Sequence, residues 1–260
     1  MTHFTHAITR RPGANFAAGL TQADAGPPDF ERALAQHDAY CEALGRCGLA
    51  LATLPADPAF PDGTFVEDVA VLTQRAAVAT RPGASSRRGE VPEVVASLGA
   101  LRPLTHAIEA PGTLDGGDVC QAGSHVFVGI SARTNPEGAR QFCEIMRRAG
   151  HSASTVDIRA NPALLHLKSG IAHLGDARLL IAPGLPVCEH MAKFEILRVC
   201  AAESYAANCV RINDRLLIAA GYPLTAAMLR ARGYDTLPLD VSEFRKMDGG
   251  LSCLSLRFEV

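Results

Sequence analysis

One order of elements recurs along this chain, and that recurrence limits its fold more than any other feature. Two apolar runs meet at a tight turn, a helical stretch follows, and a short strand ends the unit. The first complete unit has "FVEDVAVLT" (65–73) and "RAAVAT" (75–80), then "RRGEVPEVVASLG" and a strand near "LTHAIE". The next opens with the hairpin "GDVCQAGSHVFVGI", whose turn centres on Gly123 and Ser124. Its helix is "NPEGARQFCEIMRRAG", with Asn135 as cap, Pro136 in the first turn and Gly150 at the end, and "ASTVDI" closes it. A third runs from "HLKSGIAHLGDARLLIAPG" through a helix-like patch to "KFEILRV". A fourth runs from "NCVRINDRLLIAAG", turning at Asn213-Asp214, through "PLTAAMLRARG" to "YDTLPL". The tail "GGLSCLSLRF" begins a fifth, and the N-terminal "HAITR", "DFERALAQHDAYCEALGRCG" and "LALATL" supply what it lacks. The chain is therefore expected to close on itself.

Marker residues stand near the start of the units: Asp68, Asp118, His166, Asn208 and Cys253. Subtracting their positions gives separations of 50, 48, 42 and 45 residues. Periods of this size signal a repeated architecture in which each unit buries its face against the next. Hairpin–helix–strand units in a ring would bring the markers together on a central axis. An ordinary α/β sandwich with accidental periodicity is the competing expectation.

Bulk properties narrow the partners. A chain of 260 residues with 48% hydrophobic and 20% charged residues has an ordinary globular composition and can bury a substantial core. Its net charge of −2 and lack of any basic block argue against nucleic acid or an anionic membrane as partner. "MTHFTHAITRRPG" has no continuous apolar region of the signal-peptide kind, and no run has the length of a membrane span. The eight cysteines include no Cys-x-x-Cys pair, so reduced thiols in a cytoplasmic protein are expected. No zinc-finger or H-E-x-x-H spacing points to a structural metal.

The markers are chemically unusual as a set. Acid pairs stand at Glu67-Asp68 and at Asp115 and Asp118, beside a histidine, an asparagine and a cysteine. The loops "SSRRGE" and "SARTN" add Arg87, Arg88 and Arg133. Cys253, His166 and a carboxylate would make a nucleophile, a base and its orienter. A free thiol near ~8.5 is mostly protonated at neutral pH, and a nearby cation would lower that value. Acids in the same pocket would bind a cationic group, and arginines at the rim a carboxylate. One cationic end and one carboxylate end describe an amino acid with a basic side chain.

Plainer readings stand beside these. Cys253 alone fits a buried core thiol, and His166 a hydrogen-bonded loop histidine. Arg87 and Arg88 fit solvated surface charges. Asp115 to Asp118 fits an ordinary turn. Glu67 and Asp68 are harder to dismiss, because they sit inside an apolar run expected to be a strand, so that one of them points inward.

Seven motifs in order carry a closer resemblance: "FPDGTFVEDVAVLT", "TRPGASSRRGE", "IEAPGTLDGGDV", "VFVGISARTN", "LLHLKSG", "SYAANC" and "DGGLSCLSLRF". Together they resemble the dimethylarginine dimethylaminohydrolases of the pentein, or guanidino-group-modifying, superfamily. The resemblance covers nearly the whole chain. It implies one α/β catalytic domain over residues 1–260, a five-bladed α/β propeller of ββαβ repeats around a pseudo-fivefold axis. It implies hydrolysis of Nω-methylated arginines to citrulline and a methylamine. Matched motif by motif, it implies Cys253 as nucleophile, His166 as general acid and base, and Asp115 as the carboxylate orienting the histidine. Asp68 with Glu67 would hold the guanidinium, and Arg87 and Arg133 the α-carboxylate. Asp62, with the backbone carbonyls of Leu20 and Met247, would hold the α-ammonium. Phe65 would form an apolar wall, and Asp248 would shape the adjoining loop. The expected partner is a small-molecule substrate, with no cofactor, no nucleic acid and no membrane; a homodimer is left open. Zinc, if it acts, would inhibit at Cys253 and His166. An arginine deiminase-like enzyme and a non-catalytic binding module on the same ring are the rival expectations.

Overall fold

The computed structural model describes residues 3–99 and 101–260, and its strands form five three-stranded sheets. In chain order, β1 (His6–Arg10) leads through α1 (Phe30–Arg46) to β2 (Ala50–Leu54). Next come β3 (Ala70–Leu72), β4 (Ala77–Ala79), α2 (Val91–Gly99) and β5 (His106–Ala107). The following unit is β6 (Val119–Ala122), β7 (His125–Ile130), α3 (Pro136–Arg148) and β8 (Ser152–Asp157). Then come β9 (Ile171–Gly175), β10 (Arg178–Ile181) and β11 (Glu195–Arg198), and after them β12 (Val210–Ile212), β13 (Arg215–Ala219), α4 (Pro223–Arg230) and β14 (Asp235–Leu239). The short α5 (Ser242–Arg245) precedes β15 (Leu256–Phe258).

Each sheet has the same wiring. The middle strand pairs antiparallel with a leading strand and parallel with a trailing one, as in β6-β7-β8 and β12-β13-β14. In four of the sheets the antiparallel step is a hairpin, whereas the parallel step needs a crossover, which explains why the helices lie there. The last sheet joins the two ends of the chain: β15 runs antiparallel to β1, with His6 opposite Phe258 and Ile8 opposite Leu256. Five such units make the five-bladed α/β propeller expected from the sequence.

Local chemistry sets the elements. Asn135 caps α3 by accepting the Gly138 N–H at 2.8 Å, and Pro136 occupies its first turn. Gly123 and Asn213 take positive φ of 64° and 53° at the two hairpin turns. The helix-like patch of the third unit is a 3-10 turn at Glu189–Lys193. Pro183 and Pro186 lie just before it and disfavour a longer helix. The larger correction concerns Glu67 and Asp68. They do not lie on a strand; Val66–Val69 is a 3-10 turn and β3 begins only at Ala70. Successive side chains in such a turn diverge by about 120°. Both acids are therefore buried, facing different surroundings.

All five leading strands follow a 3-10 turn, at 66–69, 116–118, 167–169, 201–207 and 251–254. These turns meet at the axis and are tied by buried polar contacts. Asp68 accepts the Gly117 N–H at 2.9 Å, Asp118 the Leu167 N–H at 2.8 Å and Asn208 the Ser252 N–H at 3.0 Å. Asn208 also donates to the Lys168 carbonyl at 2.9 Å. Apolar clusters fill the spaces between blades. One joins Phe127, Leu167, Ile171 and Leu179, and another Phe16, Tyr40, Phe65 and Phe244. Among the described residues no helix is long and apolar enough to cross a membrane.

Replacing Asn208 by Ala leaves the Ser252 N–H and the Lys168 carbonyl buried without their partner. At about 1–3 kcal/mol for each unsatisfied group, urea unfolding of Asn208→Ala should show a loss of about 2–6 kcal/mol. An unchanged midpoint would mean that this contact does not hold the ring.

Candidate active site

A cleft opens at the end of the ring where the turns converge. Its walls are Leu20, Asp62, Phe65, Asp68, Arg87, Arg133, Leu165, His166, Met247, Asp248, Gly249 and Cys253. Cys253 sits in the turn Leu251–Leu254, immediately before β15, and is partly exposed. Burial around the sulfur, with the carboxylates of Glu67 and Asp68 nearby, pushes its thiol up to about 12. The free thiol is therefore neutral at physiological pH.

His166 opens the turn that carries Leu167–Ser169. Its Nε2 lies 3.1 Å from Asp115 Oδ2 and 4.0 Å from Asp68 Oδ1. Burial disfavours the imidazolium, but Asp68, the bond to Asp115, and Asp118 outweigh it and raise the histidine to about 9. Asp115 is fully buried, and its other oxygen accepts the Gly83 N–H at 2.8 Å. Gly117 makes the approach possible. A Cβ there would lie 2.8 Å from both Asp68 Oδ1 and the imidazole ring. Asp68, Asp115 and His166 bring one donor atom each within 4.8 Å of one another, a cluster that does not include Cys253.

The two arginines differ. Arg87 is buried and committed, with Nη1 2.5 Å from Asp68 Oδ2, and Nε and Nη2 on Glu90 at 3.0 and 2.8 Å. Its Nη2 also donates to the Phe65 carbonyl at 3.1 Å. Burial would raise Asp68, but His166 and Arg87 hold its carboxyl down at about 2. The Arg133 guanidinium has no hydrogen bond or ion pair among the described residues, so it is the free cation of the cleft.

Asp62 accepts the Leu20 N–H with both oxygens, at 3.0 and 3.2 Å, and burial raises its carboxyl. Phe65 packs against Phe16 and Phe244, with ring centroids 5.9 and 6.3 Å away. Asp248 takes a positive φ of 57° and accepts Thr21 Oγ1–H at 3.1 Å and the Gln22 N–H at 2.6 Å.

Glu67 is not in the cleft wall. Its Oε1 meets Lys168 Nζ at 2.6 Å and Arg257 Nη2 at 2.9 Å, beside a separate cavity of about 480 Å³ among the leading strands. Its Oε2 is buried with no hydrogen-bond partner. Sequence reasoning missed Lys168, Arg257, Glu90 and Leu165, whereas the closing glycine pair was expected to let the backbone approach the substrate, and Gly249 does line the cleft. Only Glu90 left a signal, an Arg-x-x-Glu spacing suited to an ion pair within one helical turn.

No protein-family model matches the chain. It is 44% identical over 256 residues, 98% of its length, to the whole of the N(G),N(G)-dimethylarginine dimethylaminohydrolase of Pseudomonas aeruginosa. This chain belongs to the dimethylarginine dimethylaminohydrolase family. A solved cysteine-to-serine variant of the Pseudomonas aeruginosa enzyme, complexed with citrulline, superposes with a TM-score of 0.94 at 43% identity, covering 98% of this chain and 100% of that one. A histidine-to-glycine variant of a dimethylarginine dimethylaminohydrolase, in an adduct with S-methyl-L-thiocitrulline, has the same score, identity and coverage. The five-sheet ring is thus the family's architecture.

The burial and charges around Cys253 set how it should react. Alkylation by iodoacetamide, followed at Cys253 by peptide mass spectrometry, should still be accelerating between pH 8 and pH 10. A plateau already reached below pH 8 would show a resting thiolate instead.

Proposed function

We propose that this chain hydrolyses Nω,Nω-dimethyl-L-arginine and Nω-monomethyl-L-arginine to L-citrulline and dimethylamine or methylamine. The observation that carries this is the convergence of Cys253, His166 and Asp68 on one cleft. Membership of the family makes the reading specific, and the citrulline held by the Pseudomonas aeruginosa relative is the product it requires. Family membership also favours it over an arginine deiminase-like reaction.

The substrate would enter with its guanidinium towards Cys253. Asp68 would hold that cation; Glu67, which lies outside the cleft wall and is paired with Lys168 and Arg257, would add only the field of its charge. Arg133 would take the α-carboxylate, with Arg87 contributing at most the one Nη1 N–H that Asp68 leaves free. Asp62 and the carbonyls of Leu20 and Met247 would surround the α-ammonium. Phe65 would lie along the aliphatic chain.

Binding itself would activate the nucleophile. A cation about 4 Å from the sulfur interacts with a thiolate by about 4 kcal/mol at an effective dielectric of about 20, enough to bring a thiol from about 12 to about 9. The thiol proton passes to solvent, and the Cys253 sulfur attacks the guanidinium carbon, forming a C–S bond and a tetrahedral adduct. The adduct expels dimethylamine, which takes its proton from the His166 imidazolium. An S-alkylthiouronium remains on Cys253. Neutral His166 then removes a proton from water, whose oxygen attacks the same carbon. Collapse breaks the C–S bond, the adduct's hydroxyl proton passes to the departing thiolate, and citrulline and the Cys253 thiol are released. Asp115 would hold the imidazole throughout. The cycle balances with water as its only co-reactant.

Cys253→Ser should lower citrulline formation from dimethylarginine by at least about a thousandfold while dimethylarginine still binds in calorimetry. Unchanged turnover rejects Cys253 as nucleophile. Turnover of arginine but of neither methylated arginine by the wild-type chain rejects the substrate class.

A further inference from the structure

We propose that Asp118 is a positioning residue that couples the end of the cleft carrying Arg133 to the end carrying His166. The inference rests on the function proposed above and deepens it. Asp118 is fully buried and lines no part of the cleft. Its Oδ2 accepts the hydroxyls of Ser131 at 2.6 Å and Thr134 at 2.7 Å, and its Oδ1 accepts the Leu167 N–H at 2.8 Å.

Each of those donors belongs to a different part of the site. Ser131 and Thr134 flank Arg133 in "SARTN". A hydroxyl has one proton, and a carboxylate only accepts. With both protons directed at Asp118, the hydroxyl oxygens are left to accept. Ser131 Oγ takes the N–H groups of Arg133 and Thr134, each at 3.0 Å. Thr134 Oγ1 takes the N–H of Asp115 at 3.1 Å. Leu167, held by the other oxygen, directly follows His166. One carboxylate thus fixes the backbone at Arg133, at Asp115 and beside His166.

The surroundings leave room for it. Gly129 of β7 faces the carboxylate, and a Cβ there would lie 2.7 Å from Asp118 Oδ1. Burial pushes the Asp118 carboxyl up to about 6, against the opposing pull of His166, the two hydroxyls and the Leu167 N–H. At pH 8 it is ionised, and its charge helps to keep His166 protonated. An amide cannot replace it. Asparagine has one acceptor oxygen, so its NH2 must face either the two hydroxyls or the Leu167 N–H, and one set of contacts is lost.

The test compares Asp118→Asn and Ser131→Ala with the wild-type full chain at pH 8. Citrulline formation gives KM and kcat, and NMR of the ring-labelled histidines gives the His166 titration. Asp118→Asn should raise KM and lower kcat by at least tenfold each, and should move the His166 midpoint down. Ser131→Ala cuts only the Arg133 side, so KM should rise severalfold with kcat within twofold of wild type. KM and kcat within twofold for Asp118→Asn, or an unmoved His166 midpoint in it, overturns the proposal. If Asp118→Asn does not fold, Ser131→Ala decides alone: an unchanged KM overturns it. If the wild-type chain makes no citrulline, the proposed function has failed, and the His166 midpoint in Asp118→Asn still decides the role of Asp118.

Discussion

The fold depends on how the buried N–H groups at the axis find acceptors. Five 3-10 turns meet there, and the N–H groups at the start of such turns have no partner within them. A short side chain from the preceding turn supplies the acceptor: Asp68 for Gly117, Asp118 for Leu167 and Asn208 for Ser252. An unpaired buried N–H costs about 1–3 kcal/mol, so acids and amides gather at the axis for structural reasons. They also create a concentrated negative field in a site shielded from water. Asp68 serves both ends: Oδ1 closes the ring at Gly117, while Oδ2 meets Arg87.

That field explains the division of labour between the arginines. Arg87 stands against Asp68 and Glu90, two buried carboxylates, and cannot be counted as a free cation. Arg133 is not matched in this way, and its loop is held by backbone bonds to Ser131 instead of by its own side chain. The cleft therefore offers one free positive site, Arg133, and a strongly negative one at Asp68. An amino acid whose side chain ends in a cation matches both.

The repeat, the closure of the ring and the hairpin turns were legible in the sequence, because each leaves a local mark. Asn135-Pro136 marks a helix start, and Gly123 and Asn213 mark turns that need positive φ. The markers converge because they share a place in the repeat. The direction of a single side chain is not local in this way. Glu67 and Asp68 look like strand residues because the run around them is apolar. Where the turn ends and β3 begins decides which way each faces. The partners of Glu67 come from Lys168 and from Arg257, the latter 190 residues away, and no spacing rule links them. The ion pair of Arg87 with Glu90 lies within one turn, and it made Arg87 a buried residue instead of a rim cation.

The turn that divides Glu67 from Asp68 also controls the nucleophile. Lys168 lies close enough to Cys253 to lower its thiol, and an unmatched ammonium there would favour a thiolate. Such a thiolate would be open to oxidation and to stray electrophiles. Glu67 pairs with Lys168 and Arg257 through one oxygen, and with Asp68 it pushes the thiol the other way. The balance leaves Cys253 protonated until a further cation arrives. In the proposed reaction that cation is the substrate's guanidinium, so Asp68, which would hold it, together with Glu67 outside the cleft keeps the sulfur protonated until it binds.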